Sequence, residues 1–203
     1  MALPNPDSIL MFLEVCGRVA YKSEERISPG SATKFVSNIV SNHHLSVIEH
    51  VGMTVRFIVD RGVSHELVRH RLCSFTQEST RYCNYGKGGG VTFIIPPWVE
   101  IEPGEYDEHT PIHDLYNWFP WYQTLLRCER GYLTLLDNGW TPQQARSVLP
   151  NSLKTELIIT ANLREWRHIF EMRCAKGVHP QMAETMIPLR DELKKLLPQI
   201  FED

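Results

Sequence analysis

The sequence predicts an α/β (α+β) domain in which a small central β-sheet is flanked by long helices. Two observations carry this. Three short runs rich in β-branched residues stand apart from one another, and stretches with apolar residues at helical spacing come before, between and after them. The composition, 42% apolar and 22% charged over 203 residues, is that of one ordinary globular domain with enough chain to bury a core, so residues 1–203 are read as a single domain.

Taken in order, Asp7 and Ser8 can cap a first helix running to about Val19, with Ile9, Phe12, Leu13 and Cys16 at helical spacing. Ser31 starts a second helix, whose apolar stripe is Phe35, Val36, Ile39 and Val40. The segment from about Val51 to Val59 alternates and is rich in β-branched residues, which predicts a strand. Ser64 then caps a short helix reaching about Arg71. Cys73 to Gly90 reads as a polar loop ending in the glycine-rich GKGGG. VTFIIPPW reads as a short buried strand stopped by Pro96 and Pro97, and IEPGEYDEHTPIHD as loop. A long helix is expected from about Trp118 to Leu136, closed by Asn138-Gly139. Thr141-Pro142 forms a cap and first-turn pair for QQARSVL, which Pro150 ends. TELIITANL reads as a strand, REWRHIFEMRC as a helix, and HPQMAETMIPLRDELKKLL as the last helix, kinked or divided by Pro188.

A formal charge of −3 gives no overall bias toward nucleic acid or a membrane surface. The N-terminus lacks a basic segment followed by an apolar run, and no stretch is long and apolar enough to span a bilayer. The five cysteines are scattered, odd in number and free of any C-x-x-C pair, which argues for a reducing, cytoplasmic setting and against a disulfide framework.

The stretch HELVRHRLCSFTQESTRY, residues 65–82, is the densest in chemistry. It opens like the H-E-x-x-H helix of a zinc protease, whose two histidines sit ~40° apart around the helix and share one metal. Here His70 follows His65 at five positions rather than four, which would set the two ~140° apart around the helix, so a metal site is not expected. His43, His44 and His50 lie near a helix-to-strand turn, where histidines are usually hydrogen-bonded structural groups. GKGGG lacks the spacing and the Ser/Thr of a phosphate loop, and no G-x-G-x-x-G is present. Arg69, His70 and Arg71 could be a solvated basic helix end that complements the helix dipole. The residues that follow, Ser74 and Thr76 to Tyr82, are nearly all hydrogen-bonding, however. Arginine forks with adjacent hydroxyls form an oxyanion shell, which points to a phosphorylated small molecule.

Arg69-His70-Arg71, seven residues, then Ser79, Arg81 and Tyr82 resemble the R-H-R-x7-S signature of the flavin-dependent thymidylate synthases. His44-x-Ser46-x-x-Glu49-His50 is similar to that family's upstream H-x-[ST]-x-x-E-H element. Ala145-Arg146 with Leu149-Pro150 is similar to its A-R-x-x-L-P element, and Asn162-Leu163-Arg164 with Arg173 to its N-x-R segment and following arginine. Four elements in the family's order make the resemblance nearly full-length.

The resemblance implies the thymidylate synthase-complementing protein fold and the conversion of dUMP to dTMP. Methylenetetrahydrofolate would be the carbon donor, FAD the redox cofactor and NADPH the reductant, in a homotetramer with active sites between subunits. By residue, it implies FAD contacts for Ser46, Arg69, His70, Arg71, Gln77, Asn162, Leu163, Arg164 and His168. It implies dUMP contacts for Glu66, Arg69, Gln77, Glu78, Ser79, Thr80, Arg81 and Arg146, and stacking of His44 on folate or nicotinamide. Arg173 would be catalytic, favouring ionisation of the uracil N3. Glu66 stands where some members carry glutamine, Gln77 where some carry glutamate, and Ala20 where a flavin-contacting serine can occur. Two other readings of the same residues are C5 hydroxymethylation or methylation of another pyrimidine nucleotide, and a non-catalytic nucleotide- or RNA-binding module.

Overall fold

The computed structural model describes residues 5–110 and 118–202. In chain order the elements are helices α1 (Pro6–Arg18) and α2 (Ser31–Ser41), strand β1 (Gly52–Asp60), α3 (Arg61–Leu67) and β2 (Ser74–Gln77). They continue with α4 (Phe119–Asp137), α5 (Pro142–Ala145), β3 (Lys154–Asn162), α6 (Leu163–Arg173), α7 (Pro180–Leu196) and α8 (Pro198–Phe201). The strands form one small antiparallel sheet in the order β1-β3-β2. The mixed architecture with a small sheet and dominant helices is the expected one. Among the described residues no helix is long and apolar enough to cross a membrane.

The chain divides into two compact units, residues 1–56, 70–75 and 158–203 in the first and 57–69 with 76–157 in the second. In the first unit α1 packs on α2, and α8 packs on both α2 and α7. Its core includes Leu13, Val36, Ile48, Trp166, Ile169, Met182, Met186 and Ile200, all buried. Trp166 Nε1 donates to the Met53 carbonyl at 3.1 Å, which satisfies the one polar atom of that buried ring. In the second unit α4 packs on α5, and Val91, Tyr132, Ala145 and Leu153 form a core that Phe93, Leu133, Leu136 and Leu149 extend.

Helix ends account for several differences from the sequence expectations. Asn5 rather than Asp7 or Ser8 caps α1, accepting from the Asp7 N–H at 2.9 Å, and Pro6 takes the first position where its missing N–H costs nothing. Asp60 rather than Ser64 caps α3: its carboxylate accepts from the Val63 N–H at 2.7 Å, and Ser64 lies inside the helix. The α3 cap lies four residues earlier than expected and the helix ends at Leu67, so Arg69, His70 and Arg71 fall in the turn beyond it rather than on the helix. The segment after Cys73 is not all loop, since Ser74–Gln77 forms β2. VTFIIPPW is not a strand; it makes a single antiparallel bridge, Phe93 to Leu153, beside its paired prolines. Pro188 sits inside α7 without dividing it. The end of the loop expected over IEPGEYDEHTPIHD, residues 111–114, lies outside the described residues.

Two expectations at helix ends hold in detail. After α4, Gly139 adopts φ +85, its N–H donates to Leu136 O at 2.9 Å, and the Trp140 N–H donates to Leu135 O at 2.9 Å. This is the paired closure that a left-handed glycine permits. At α5, Gln144 Oε1 accepts from the Thr141 N–H at 2.9 Å, the reciprocal half of a capping box.

Candidate active site

The first unit contributes one cluster of the sequence-predicted residues. Asn162 caps α6, its side-chain oxygen accepting from the Glu165 N–H at 2.8 Å. The cap fixes the phase of α6, so positions 165, 169 and 173, four apart, share one face. His70 lies against that face. Its Nε2 accepts from Arg173 Nε at 2.9 Å, and its Nδ1 is 3.9 Å from Glu165 Oε1. The His168 ring meets the His70 ring edge to face at 6.1 Å. Burial, then the Arg173 cation and His168, hold the His70 pKa down at about 4, so the ring is neutral near neutral pH. The middle residue of the R-H-R triplet and the downstream arginine thus meet at one imidazole, against the helix that the N-x-R segment opens.

Arg164 Nη1 pairs with Glu49 Oε1 at 2.5 Å, which joins the N-x-R segment to the H-x-[ST]-x-x-E-H element over 115 residues of chain. A cleft of about 1170 Å³ opens here, lined by both of these residues with Asn162, Glu165 and His168, and by Arg167, Arg190 and Lys194. His43 and Leu45 line it, while His44 and Ser46 are exposed neighbours that do not. His43 holds φ +57, a left-handed conformation uncommon outside glycine. Arg71 is exposed beyond the cleft lining. Leu163 is a core side chain, 1% exposed, and its N–H donates to Val51 O at 3.0 Å.

The second unit holds the remaining residues. Thr80 is buried, and Arg146 Nη1 donates to its hydroxyl at 2.9 Å, bringing together two predicted nucleotide contacts 66 residues apart. Gln77 Nε2 donates to Ser64 Oγ at 2.9 Å and to Thr155 Oγ1 at 3.2 Å. Both donations require the amide, which gives a physical reason for glutamine rather than glutamate at this position. Both carboxylate oxygens of Glu78 are engaged, one by the Tyr85 hydroxyl at 2.8 Å and the other by Lys154 Nζ at 3.3 Å. Burial and that hydrogen bond raise the Tyr85 pKa, so the phenol stays protonated. Burial opposes the Lys154 charge, but the bonds to Glu156 and Glu78 outweigh it and hold the ammonium above its ordinary value. Ser79 Oγ accepts from the Arg81 N–H at 3.3 Å, turning the chain so that the exposed Arg81 lies over the Tyr82 ring, 5.5 Å from its centre. Glu66 is half-buried on α3, and Arg69 is exposed in the turn after it.

The sequence reading did not single out Glu165, Tyr85 or Lys154. Glu165 carried a signal: an acidic residue three positions after a capping asparagine, on the stripe that otherwise reads Trp166, Ile169 and Phe170. The five cysteines are all free and half-buried. Burial first, then Glu165, pushes the Cys73 thiol up to about 11, and burial raises Cys128 and Cys174. None of these three is poised as a thiolate nucleophile.

Comparison with known proteins converges on one family. A protein called flavin-dependent thymidylate synthase from Geobacter sulfurreducens is 29% identical over 207 residues, covering 98% of this chain and 82% of that protein. Proteins with the same description from Mycolicibacterium vanbaalenii and Mycobacteroides abscessus are 30% and 31% identical, covering 98% and 94% of this chain and 81% and 78% of theirs. The family model described as thymidylate synthase complementing protein matches residues 4–199, and this chain belongs to that family.

Proposed function

We propose that the chain is a thymidylate synthase that reductively methylates dUMP to dTMP, with methylenetetrahydrofolate as carbon donor, FAD as cofactor and NADPH as reductant. The observation that carries this reading is the full-length family match, with the family's motif residues clustered around His70 in one unit and around Thr80 in the other. On this reading residues 1–203 work as one functional domain, in a cytoplasmic homotetramer whose subunits share active sites.

The cleft beside α6 fits a flavin dinucleotide. Its wall carries Arg164, Arg167, Arg190 and Lys194, cations suited to a diphosphate, alongside Glu49 and Glu171, which suit ribose hydroxyls. Bound flavin supplies the redox chemistry. Arg146, positioned by Thr80, and Arg81 bind the nucleotide phosphate, whose charge of nearly −2 favours forked guanidinium contacts. Gln77, with Glu78 held by Tyr85 and Lys154, gives the adjoining wall a fixed shape. Arg173 places its cation beside the uracil N3 and O4, stabilising the anionic character that makes C5 nucleophilic. Ser79 positions the turn that presents Arg81.

The test is to incubate purified protein with dUMP, labelled methylenetetrahydrofolate and NADPH and to identify the nucleotide product by mass. The expected product is dTMP carrying the label. A hydroxymethyl nucleotide would replace this reading with C5 hydroxymethylation. A protein that makes no product and takes up no added FAD would replace it with a binding module.

A further inference from the structure

His70 stands between two residues of α6 with opposite demands. Arginine N–H groups only donate, so the 2.9 Å bond from Arg173 Nε requires a lone pair on His70 Nε2. The single proton of the neutral ring then sits on Nδ1, the nitrogen that faces Glu165. At 3.9 Å the carboxylate is too far for a direct hydrogen bond, but both side chains are about nine-tenths buried, at 8% and 7% exposure, where charge is weakly screened. The carboxylate therefore favours the tautomer that points N–H toward it. The other tautomer would set two donors, Nε2–H and the Arg173 Nε–H, against each other. The backbone at Glu165 is fixed by the Asn162 cap, which accepts from its N–H at 2.8 Å.

We infer that Glu165 is a positioning residue for Arg173: it selects the Nδ1–H tautomer of His70, which leaves Nε2 to hold the Arg173 guanidinium in one orientation. The inference rests on the proposed reaction only in naming what Arg173 is held for. The tautomer itself is a property of the protein. Charge alone does not explain the arrangement, since Glu165 reaches Arg173 through the imidazole, whose Nε2 accepts from the arginine Nε.

The experiment uses the full-length protein labelled with 15N-histidine, and reads which ring nitrogen of His70 carries the proton. In the wild type the proton is expected on Nδ1; a ring protonated at Nε2 would overturn the inference without any variant. In Glu165→Leu the Nε2–H form should grow. Loss of groups that orient a functional histidine commonly costs about tenfold to a hundredfold, so kcat for dTMP should fall at least about tenfold while the KM for dUMP stays within about threefold. Glu165→Gln, whose amide oxygen still accepts, should keep the tautomer and most of kcat, and it decides the matter if the leucine variant does not fold. A Glu165→Leu protein with an unchanged tautomer, or with a changed tautomer and full kcat, would overturn the positioning role. Failure of the underlying reading shows up elsewhere: Arg173→Ala would then form dTMP undiminished, whatever the tautomer of His70.

Discussion

His70 and Thr80 are buried polar side chains, one in each unit, and each makes a specific prediction. His70 prefers to be neutral when folded, with a pKa of about 4 against an ordinary 6.5, through burial first and then Arg173 and His168. Above pH 6.5 the ring is neutral whether the chain is folded or not, so its contribution to stability is complete. Between 6.5 and 4 the unfolded chain takes up a proton that the folded chain refuses, and stability falls with pH until the loss is complete below about 4. Urea midpoints measured from pH 7.5 downward should drop across that window, and His70→Gln should flatten the drop; an identical profile in the variant would count against the assignment. Thr80 matters through Arg146. A hydrogen bond to a charged group contributes about 1.5–3 kcal/mol, so Arg146→Ala should raise the KM for dUMP by roughly tenfold to a hundredfold. Thr80→Val should lose less, because the arginine charge remains. Titration of dUMP against both variants checks the order.

At the scale of the element, the capping residues decide where side chains fall. Replacing an asparagine cap by alanine typically costs about 1 kcal/mol, so Asn162→Ala should lower stability by that amount in a chemical melt. Because the same cap sets the phase of α6, the variant should also lose flavin affinity, whereas Gly139→Ala should lose stability through its left-handed φ of +85 and keep the flavin. Equal flavin content in the two variants would separate the cap from the site. The α3 cap shows why part of the site was illegible in the sequence. Ser64 and Asp60 are both good caps, and periodicity does not choose between them; nor does it show that the helix stops at Leu67, short of the R-H-R triplet. By contrast, Thr141-Pro142 and Asn138-Gly139 were legible because each pairs two local signals at adjacent positions. The motif residues could be named from spacing, but their meeting at His70 could not. That meeting depends on side chains 103 residues apart, and no local pattern encodes such a contact. Tyr85 and Lys154 escaped notice for the same reason: each reaches the predicted site through its contact with Glu78.

At the scale of the whole molecule, the surface itself argues for assembly. Met11, Phe12, Val15 and Val19 follow one another along α1 and its continuation at four-residue or adjacent spacing, and each is about half exposed or more. Such a run is normally covered in a stable protein, because contiguous apolar surface promotes association. The helix already packs on α2 and buries Leu10 and Leu13, so this outer stripe is not needed for folding the subunit. On the proposed shared-site arrangement, the expected partner is a second copy of the chain within a homotetramer. Light scattering coupled to gel filtration should therefore give about four times the 23.5 kDa chain mass. Met11→Lys with Val15→Lys should shift the protein toward smaller species. If active sites are completed between subunits, flavin absorbance and dTMP formation should fall with the tetramer, and mixing Arg173→Ala with Arg146→Ala should give more activity at low dUMP than either variant alone. Wild-type protein that elutes at the chain mass yet keeps full turnover would sink the shared-site arrangement, while leaving the chemistry assigned to each residue intact.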